Sequence, residues 1–438
     1  MNRTQKDFVC PSLNKADDGS LVFAGAKIKD LAKKHGTPLY LFDENIIREN
    51  CKTYVTAMSK AFGNNFGVYY ASKACSFKKI YKIIQEEGVG ADVVSCGEIA
   101  TAKSAGFDLS NALFHSNNKT DEDIAFAIEN GIGCFVADNE EELLAIDRIA
   151  NEKGIVQDVM LRLTPGIDPH TFEAINTGKV DSKFGSAIET GQADYVTSIA
   201  LSLKNVKFKG FHCHIGSLIF ETDVYEQACN IMLDFIKSVK NKYGYQSEVL
   251  DIGGGFGVRY VASDPEIDIA KNISIIASCI KNKCEKEGIL LPKICMEPGR
   301  SIVANAGITV YTVGTTKKIP GYKNYVSVDG GMTDNPRFAL YGSTYCVLTV
   351  DEFDTQNQEY SVVGRCCESG DIIQERVLLP QNVKRGDLLC VQTTGAYNYS
   401  MASNYNRIPR PPVVMVKDGN DYVAVKRETY EDLFRLDN

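Results

Sequence analysis

The sequence has no long hydrophobic run. Its most apolar stretch, around Ile302 to Val313, is too short to span a bilayer and is broken by Asn305 and Gly307. No membrane span is expected. No block of basic residues is present either, and the formal charge is −8, which argues against a chain that tracks nucleic acid or an anionic membrane surface. The opening residues, Met-Asn-Arg-Thr-Gln-Lys-Asp, lack the apolar core of a signal peptide, so a cytoplasmic setting is expected. The 14 cysteines include no C-x-x-C pair, which removes the usual zinc spacing, and several (Cys134, Cys213, Cys295) fall inside apparent strands. They read as reduced thiols, mostly buried as small apolar side chains. Low-complexity linkers and short-period repeats are also absent.

The 438 residues allow two domains with sizeable cores. Asp30 to His35 read as a helix end stopped by Gly36, Pro38 to Phe42 as a strand, and Asp43 as the cap of an amphipathic helix over 44–62. The chain then alternates. Apolar strands are expected at 67–71, 91–94, 112–115, 132–136, 159–163, 208–213, 249–252 and 293–297, with helices at 76–87, 97–105, 121–130, 139–153, 188–204, 222–243 and 266–287. Eight short, nearly uniform apolar strands separated by helices predict parallel strands covered by helices and closed as a (β/α)8 barrel, with an open doubly wound sheet as the alternative. After about residue 308 helical periodicity gives way to strand-like segments between Gly, Asp, Asn and Pro turns: Thr309–Val313, Tyr325–Val328, Tyr345–Val350, Tyr360–Val363, Leu388–Thr393 and Tyr422–Lys426. The expected organisation is a barrel over 37–307 and an antiparallel all-β domain over 308–438, which residues 1–36 join.

In such a barrel the chemistry lies at the C-terminal ends of the strands. Those ends carry Lys73, Asp92 with Ser95, His115, Arg162, His214 with Ser217, Gly253-Gly254-Gly255 and Glu297-Pro-Gly-Arg300. Chance would scatter such residues over both ends. Lys73 follows the apolar run Val68–Ala71, where partial desolvation would free its amine as a nucleophile toward an aldehyde. Alone it reads as a solvated lysine at a strand end. The glycine run follows the seventh strand and the Glu-Pro-Gly-Arg turn the eighth, the usual place for a phosphate in these barrels. His212 reads as a core histidine and His214 as an imidazole against a planar ring; no further metal ligands stand at suitable spacing. A lysine for an aldehyde, N–H groups for a phosphate, a flat partner for a ring and a carboxylate for a pyridine nitrogen together suit pyridoxal phosphate.

Tyr70-Ala-Ser-Lys-Ala, Asp92-Val-Val-Ser-Cys-Gly-Glu98, His212-Cys-His-Ile-Gly-Ser217, Gly253-Gly-Gly-Phe-Gly257 and Glu297-Pro-Gly-Arg-Ser301 resemble the fold-type III pyridoxal-phosphate decarboxylases. Cys367-Glu-Ser-Gly-Asp371 resembles the segment that carries the family's proton-donating cysteine and Gly395-Ala-Tyr397 its cofactor-contacting tyrosine, while Met401-Ala-Ser-Asn-Tyr-Asn-Arg-Ile-Pro-Arg410 and Thr177-Gly-Lys-Val-Asp-Ser-Lys-Phe-Gly185 are similar to the branch acting on diaminopimelate and unlike ornithine decarboxylases. The resemblance runs from about residue 37 to 420. It implies that Lys73 forms a Schiff base with pyridoxal phosphate and that His214 stacks on the ring. Ser217, Gly254, Gly255, Gly299 and Tyr397 would lie near the phosphate, with Glu297 at the pyridine nitrogen. Arg300, at the same cofactor site, would join Arg337 and Tyr341 in holding the distal end of the substrate, beside Tyr397, and Glu368 would bind the distal amine. Cys367 would be the general acid. Cys367 and Glu368 would come from a neighbouring subunit, implying a homodimer with shared sites. The implied reaction converts meso-diaminopimelate to L-lysine and CO2.

A substrate with an ammonium and a carboxylate at its far end needs a pocket of both signs, which Arg337 and Glu368 would supply. Phe338, Tyr345 and Arg365-Cys366 depart from the branch's commoner residues and touch pocket walls more than the reaction. Rival readings are another enzyme of this fold, acting on ornithine, arginine or carboxynorspermidine or racemising alanine, and a catalytically silent regulatory homologue.

Overall fold

The computed structural model describes residues 8–167, 181–353 and 355–438; of the motif beginning at Thr177, residues 177–180 lie outside them, as does most of the loop near 170–186. The chain divides into two compact units. One comprises Asn50–Gly257 and Ile267–Ser301, the other Met1–Glu49, Val258–Glu266 and Ile302–Asn438.

The first unit is the closed barrel. Its strands are Phe66–Ala71, Gly90–Val93, Ala112–Phe114, Cys134–Ala137, Gln157–Thr164, Val206–Cys213, Val249–Asp251 and Lys293–Met296. Each pairs in parallel with the next, and the eighth returns to the first through the register Cys295 with Gly67. A two-residue strand, Ser186–Ala187, adds beside the fifth. Most strand positions are buried on both faces, so the sequences run largely apolar instead of alternating, with Lys207 an exposed exception in the sixth strand. Leu113, Val136 and Met160 form a buried cluster, with Tyr69, Cys134 and Val249 packed on it.

Helices fall where periodicity places them: Lys78–Glu86, Cys96–Ser104, Asp121–Glu129, Glu140–Glu152, Gln192–Ala200, Asp223–Tyr243 and Ile269–Glu287. Side-chain caps start several of them. Ser95, Thr120, Asn139 and Asp268 each accept the N–H three residues on, satisfying a donor that the first turn leaves unpaired. The expected helix over 188–204 is shorter because Gly191 enters it at φ +82 and Leu201 closes it.

The second unit is a mixed, mostly antiparallel sheet. Its order is Ile372–Pro380, Asn357–Val363, Asn324–Val328, Gly307–Lys318, Leu39–Asp43, Val413–Lys417 and Asn420–Val425. Two pairings are parallel and depart from a purely antiparallel sheet: Asn324–Val328 with Asn357–Val363, and Leu39–Asp43 with Val413–Lys417. Parallel neighbours need a long connection, and both pairs have one. Leu39–Asp43 is central although it lies far upstream. Its Leu39 and Leu41 join Ile308, Val310, Val414 and Val416 in a core that also takes Leu13, Phe23, Ile28 and Leu31 from the N-terminal hairpins and the helix Ile28–His35. Each such apolar side chain, fully buried, contributes roughly 1.5–3 kcal/mol. Among the described residues no helix is long and apolar enough to cross a membrane.

Candidate active site

Because all eight barrel strands run the same way, their C-terminal ends form one mouth. Lys73 stands there in a single turn, Ser72–Ala74, directly after the first strand. Ser72 and Ala74 are fully buried, but Lys73 itself is exposed, so the desolvation expected from the sequence is not present in this chain. What surrounds it is charge. The Lys73 ammonium favours ionisation of Asp92 and Glu98 and opposes protonation of His212 and His214.

The centre of the mouth is Glu297, which follows the eighth strand. Its Oε1 lies 2.6 Å from Nε2 of His115 and its Oε2 lies 2.8 Å from Nε2 of His212. The three side chains are buried, at 4 % exposure for His115, 1 % for His212 and 6 % for Glu297. Burial opposes ionisation of Glu297, but the two imidazoles, by charge and hydrogen bond, hold its carboxyl well below the usual range. A carboxylate can only accept, so each Nε2 carries the proton and donates. Burial lowers the His212 pKa despite the attraction of Glu297, and its Nδ1 is buried with no hydrogen-bond partner. Asp92 Oδ1 lies 3.8 Å from the same His115 Nε2; burial pushes the Asp92 carboxyl up to about 6 against the attraction of His115.

His214 keeps part of its surface open at the mouth. Protein nevertheless crowds the ring, and that burial, followed by the charges of Lys73 and Arg162, holds its pKa well below the ordinary value. It is a neutral imidazole at neutral pH. Arg162, at the end of the fifth strand, is buried with its guanidinium 4.4 Å from the Phe184 ring centroid.

The turns after strands seven and eight leave no room for side chains at two positions. A Cβ on Gly254 would lie 2.1 Å from the carbonyl oxygen of Glu297. One on Gly255, which adopts φ +116, would lie 2.5 Å from the carbonyl oxygen of Gly216. Only glycine allows both the conformation and the approach. Beside these turns the buried Arg300 donates to Ser217 Oγ from Nε at 3.2 Å and Nη2 at 3.0 Å. Lys73, His214, Ser217, Gly254, Gly255, Glu297, Gly299 and Arg300 thus belong to one barrel mouth.

The remaining candidates belong to the sheet unit. Arg337 opens the helix Arg337–Tyr341 and is 4 % exposed. Its guanidinium carbon lies 5.5 Å from the Tyr341 ring centroid, 5.6 Å from that of Tyr397 and 6.0 Å from that of Tyr260. One of its terminal nitrogens donates to Ser343 Oγ at 3.3 Å, while Nε is buried without a partner. Tyr397 holds a left-handed φ of +59, as does Thr393 at +58. Such a conformation costs a non-glycine residue roughly 1–2 kcal/mol. Cys366 and Cys367 differ sharply. Burial, then Asp371, pushes the Cys366 thiol up to about 11, while Cys367 is exposed and its N–H donates to Asn406 Oδ1 at 2.8 Å. Glu368 accepts from Ser369 and from the Gly370 N–H.

The pairing of His115 and His212 with Glu297 was not visible in the sequence. His115 already stood at a strand end with the other polar residues, which was the only available signal.

Residues 46–304 match the pyridoxal binding domain of the pyridoxal-dependent decarboxylases. The diaminopimelate decarboxylase of Staphylococcus aureus is 44% identical over 416 residues, covering 95% of this chain and 97% of that protein. That of Bacillus subtilis is 43% identical over 420 residues, covering 96% and 95%. Among solved structures, a diaminopimelate decarboxylase from M. jannaschii in co-complex with L-lysine superposes with a TM-score of 0.89 at 32% identity, covering 98% of each chain.

Proposed function

The chain belongs to the pyridoxal-dependent decarboxylases, and from that premise we propose that it decarboxylates meso-diaminopimelate to L-lysine and CO2. The residues at the barrel mouth fit the cofactor of that family. Gly254 and Gly255 open a cradle that a Cβ would fill, Arg300 and Ser217 flank it with donors, and Glu297 offers an ionised carboxylate within a buried site. When bound, pyridoxal phosphate supplies an electron-withdrawing ring that takes up the electron pair left on the substrate's Cα as CO2 departs.

This chain's residues do the rest. Lys73 would hold the cofactor aldehyde through its amine. Glu297, ionised, would pair with the ring nitrogen and favour its protonated form, which suits the ring to accept electrons. His214, neutral and flat, would lie against the ring without adding a charge that competes with it. Ser217, Gly254, Gly255, Gly299, Arg300 and Tyr397 would receive the phosphate. Arg337, with Arg300, Tyr341 and Tyr397, holds the distal carboxylate, and Glu368 takes the distal ammonium. Cys367 delivers its Sγ proton to Cα. Its exposure and that of the Glu368 turn suit a contribution to a second subunit's site, so the working unit is a homodimer, and the setting is the cytoplasm.

The observation that carries the choice of substrate is Arg337. It is a buried guanidinium among three tyrosine rings with one nitrogen unpartnered, a site made for a carboxylate that ornithine lacks at its distal end. Incubation of the cofactor-saturated protein with meso-diaminopimelate should release CO2 and lysine, with ornithine, arginine and carboxynorspermidine inert. CO2 release from ornithine in preference to diaminopimelate would reverse the assignment.

A further inference from the structure

Glu297 is held more tightly than a ring-nitrogen partner needs to be. A carboxylate on a flexible side chain turns freely about its last bond, yet here each oxygen is taken by a separate imidazole, at 2.6 and 2.8 Å. The imidazoles come from different strands. His115 follows the third, its N–H bonded to the Val93 carbonyl at 2.8 Å, and His212 lies in the sixth. Their rings are 4.8 Å apart and inclined at 65°, so they approach the carboxylate from two directions. The main chain is pinned as well. The Glu297 N–H donates to Gly253 O at 2.9 Å, and its carbonyl is pressed against Gly254.

We propose that His115 and His212 are positioning residues that hold the Glu297 carboxylate in one fixed plane, each through its Nε2–H, for the ring nitrogen of the bound cofactor; this rests on the function proposed above. Two donors on two oxygens remove the carboxylate's rotation before any ligand arrives. Hydrogen bonds to a charged acceptor are about twice as strong as neutral ones. Burial lowers the His212 pKa, and the two imidazoles hold the Glu297 carboxyl well below its usual range, so Glu297 retains its charge for the pyridinium. A carboxylate oxygen has more than one lone pair, so accepting from an imidazole leaves capacity for a further donor. The Asp92 carboxyl, Arg162 and the Lys73 ammonium share the pocket, and none takes a Glu297 oxygen among the described hydrogen bonds.

Paired variants at each histidine test this. His115→Leu and His212→Leu fill the space and remove the donor, whereas His115→Gln and His212→Gln place an N–H near the same point. Each is saturated with ¹⁵N-labelled pyridoxal phosphate without substrate. Two quantities are read: the cofactor dissociation constant and the ring-nitrogen chemical shift. The leucine variants should bind cofactor about 10-fold more weakly, the scale seen when a partner of a functional ligand is removed. Their nitrogen resonance should move toward the unprotonated position, and the glutamine variants should return both readings toward the parent. Parent-like affinity and resonance in the leucine variants would overturn the proposal. So would a stoichiometric divalent metal in the purified protein, because the ligand atoms of these three residues lie within 4.8 Å of one another and would then be a metal's donor set. Should the leucine variants fail to fold, Glu297→Gln and the glutamine variants decide. Glu297→Gln must shift the resonance and the glutamine variants must not; any other pattern refutes the role. A parent protein that binds no cofactor would bring down the proposed function itself, a failure distinct from all of these.

Discussion

Gly254→Ala is the smallest change that tests the geometry of the mouth. It adds one methyl group, and its Cβ would lie 2.1 Å from the Glu297 carbonyl oxygen and 2.9 Å from the carbonyl carbon. Real Cβ atoms do not approach nearer than 3.0 Å, so the two turns must separate by roughly 1 Å. Neither can yield cheaply. Glu297 is tied through its N–H to Gly253 and through its carboxylate to His115 and His212, and Tyr225 OH donates to the Gly254 carbonyl at 3.1 Å. Overpacking of this kind costs about 1–3 kcal/mol of stability. The functional effect should be larger, because a displacement near 1 Å of a group that orients reacting atoms lowers turnover by about 10²-fold. Thermal unfolding and steady-state CO2 release measure these two effects, and cofactor titration measures the accompanying affinity. Gly97→Ala is the matched control. It lies inside the helix Cys96–Ser104, its Cβ would meet only Ser95 Oγ at 3.6 Å, and alanine favours a helix interior by up to about 1 kcal/mol. A Gly254→Ala protein with unchanged turnover and cofactor affinity would refute the account of the two turns.

Cys367→Ala should lose turnover while retaining bound cofactor, measured by CO2 release and cofactor absorbance; loss of the cofactor would indicate a structural role. Arg337→Lys keeps the charge but not the planar fork among Tyr260, Tyr341 and Tyr397, so the KM for diaminopimelate should rise by about 10-fold or more with the fold intact. Lys119 and Glu142 form an ion pair at 2.6 Å with side-chain exposures of 0% and 3%, so Glu142→Leu strands a buried ammonium and should destabilise the barrel by roughly 3–5 kcal/mol in denaturant unfolding. The double variant Lys119→Met with Glu142→Leu should recover most of that loss. Burial pushes the Asp334 carboxyl up to about 7, against hydrogen bonds from Tyr311 and Gly331. An unfolded aspartate ionises near pH 4, so between about pH 4 and 7 the folded chain keeps a proton that the unfolded chain has lost. This group's contribution therefore falls as pH rises through that window. The melting temperature of Asp334→Asn should gain on the parent between pH 5 and pH 8, and a constant difference would contradict it.

The barrel was legible because strands buried on both faces read as short apolar runs. Phe66–Ala71 and Lys293–Met296 lie within one residue of expectation. In the sheet unit the signal was weaker. Ile372–Pro380 carries Gln374, Glu375 and Arg376 in its middle, so no strand was expected there; in the structure Arg376 breaks the pleat at φ +55. Val413–Lys417 follows two prolines, which read as a turn. At the mouth, Lys73, His214 and Glu297 could be picked out because each ends a strand. His212 was read as a core residue, and it is buried, but its partner lies 85 positions away. One-dimensional spacing does not carry a hydrogen bond between the sixth and eighth strands. The exposure of Lys73 was equally hidden, since a buried strand does not dictate which way the next turn faces.

The central position of Leu39–Asp43 bears on the birth of the molecule. A ribosome delivers this strand early, but its neighbours, beginning with Gly307 opposite Phe42 and later Met415, arrive only after every barrel strand has emerged. At about 5–20 residues per second that is a wait of tens of seconds with both edges unpaired. The barrel strands can pair as they emerge, while the upstream strand stays a candidate for chaperone capture until translation passes residue 417.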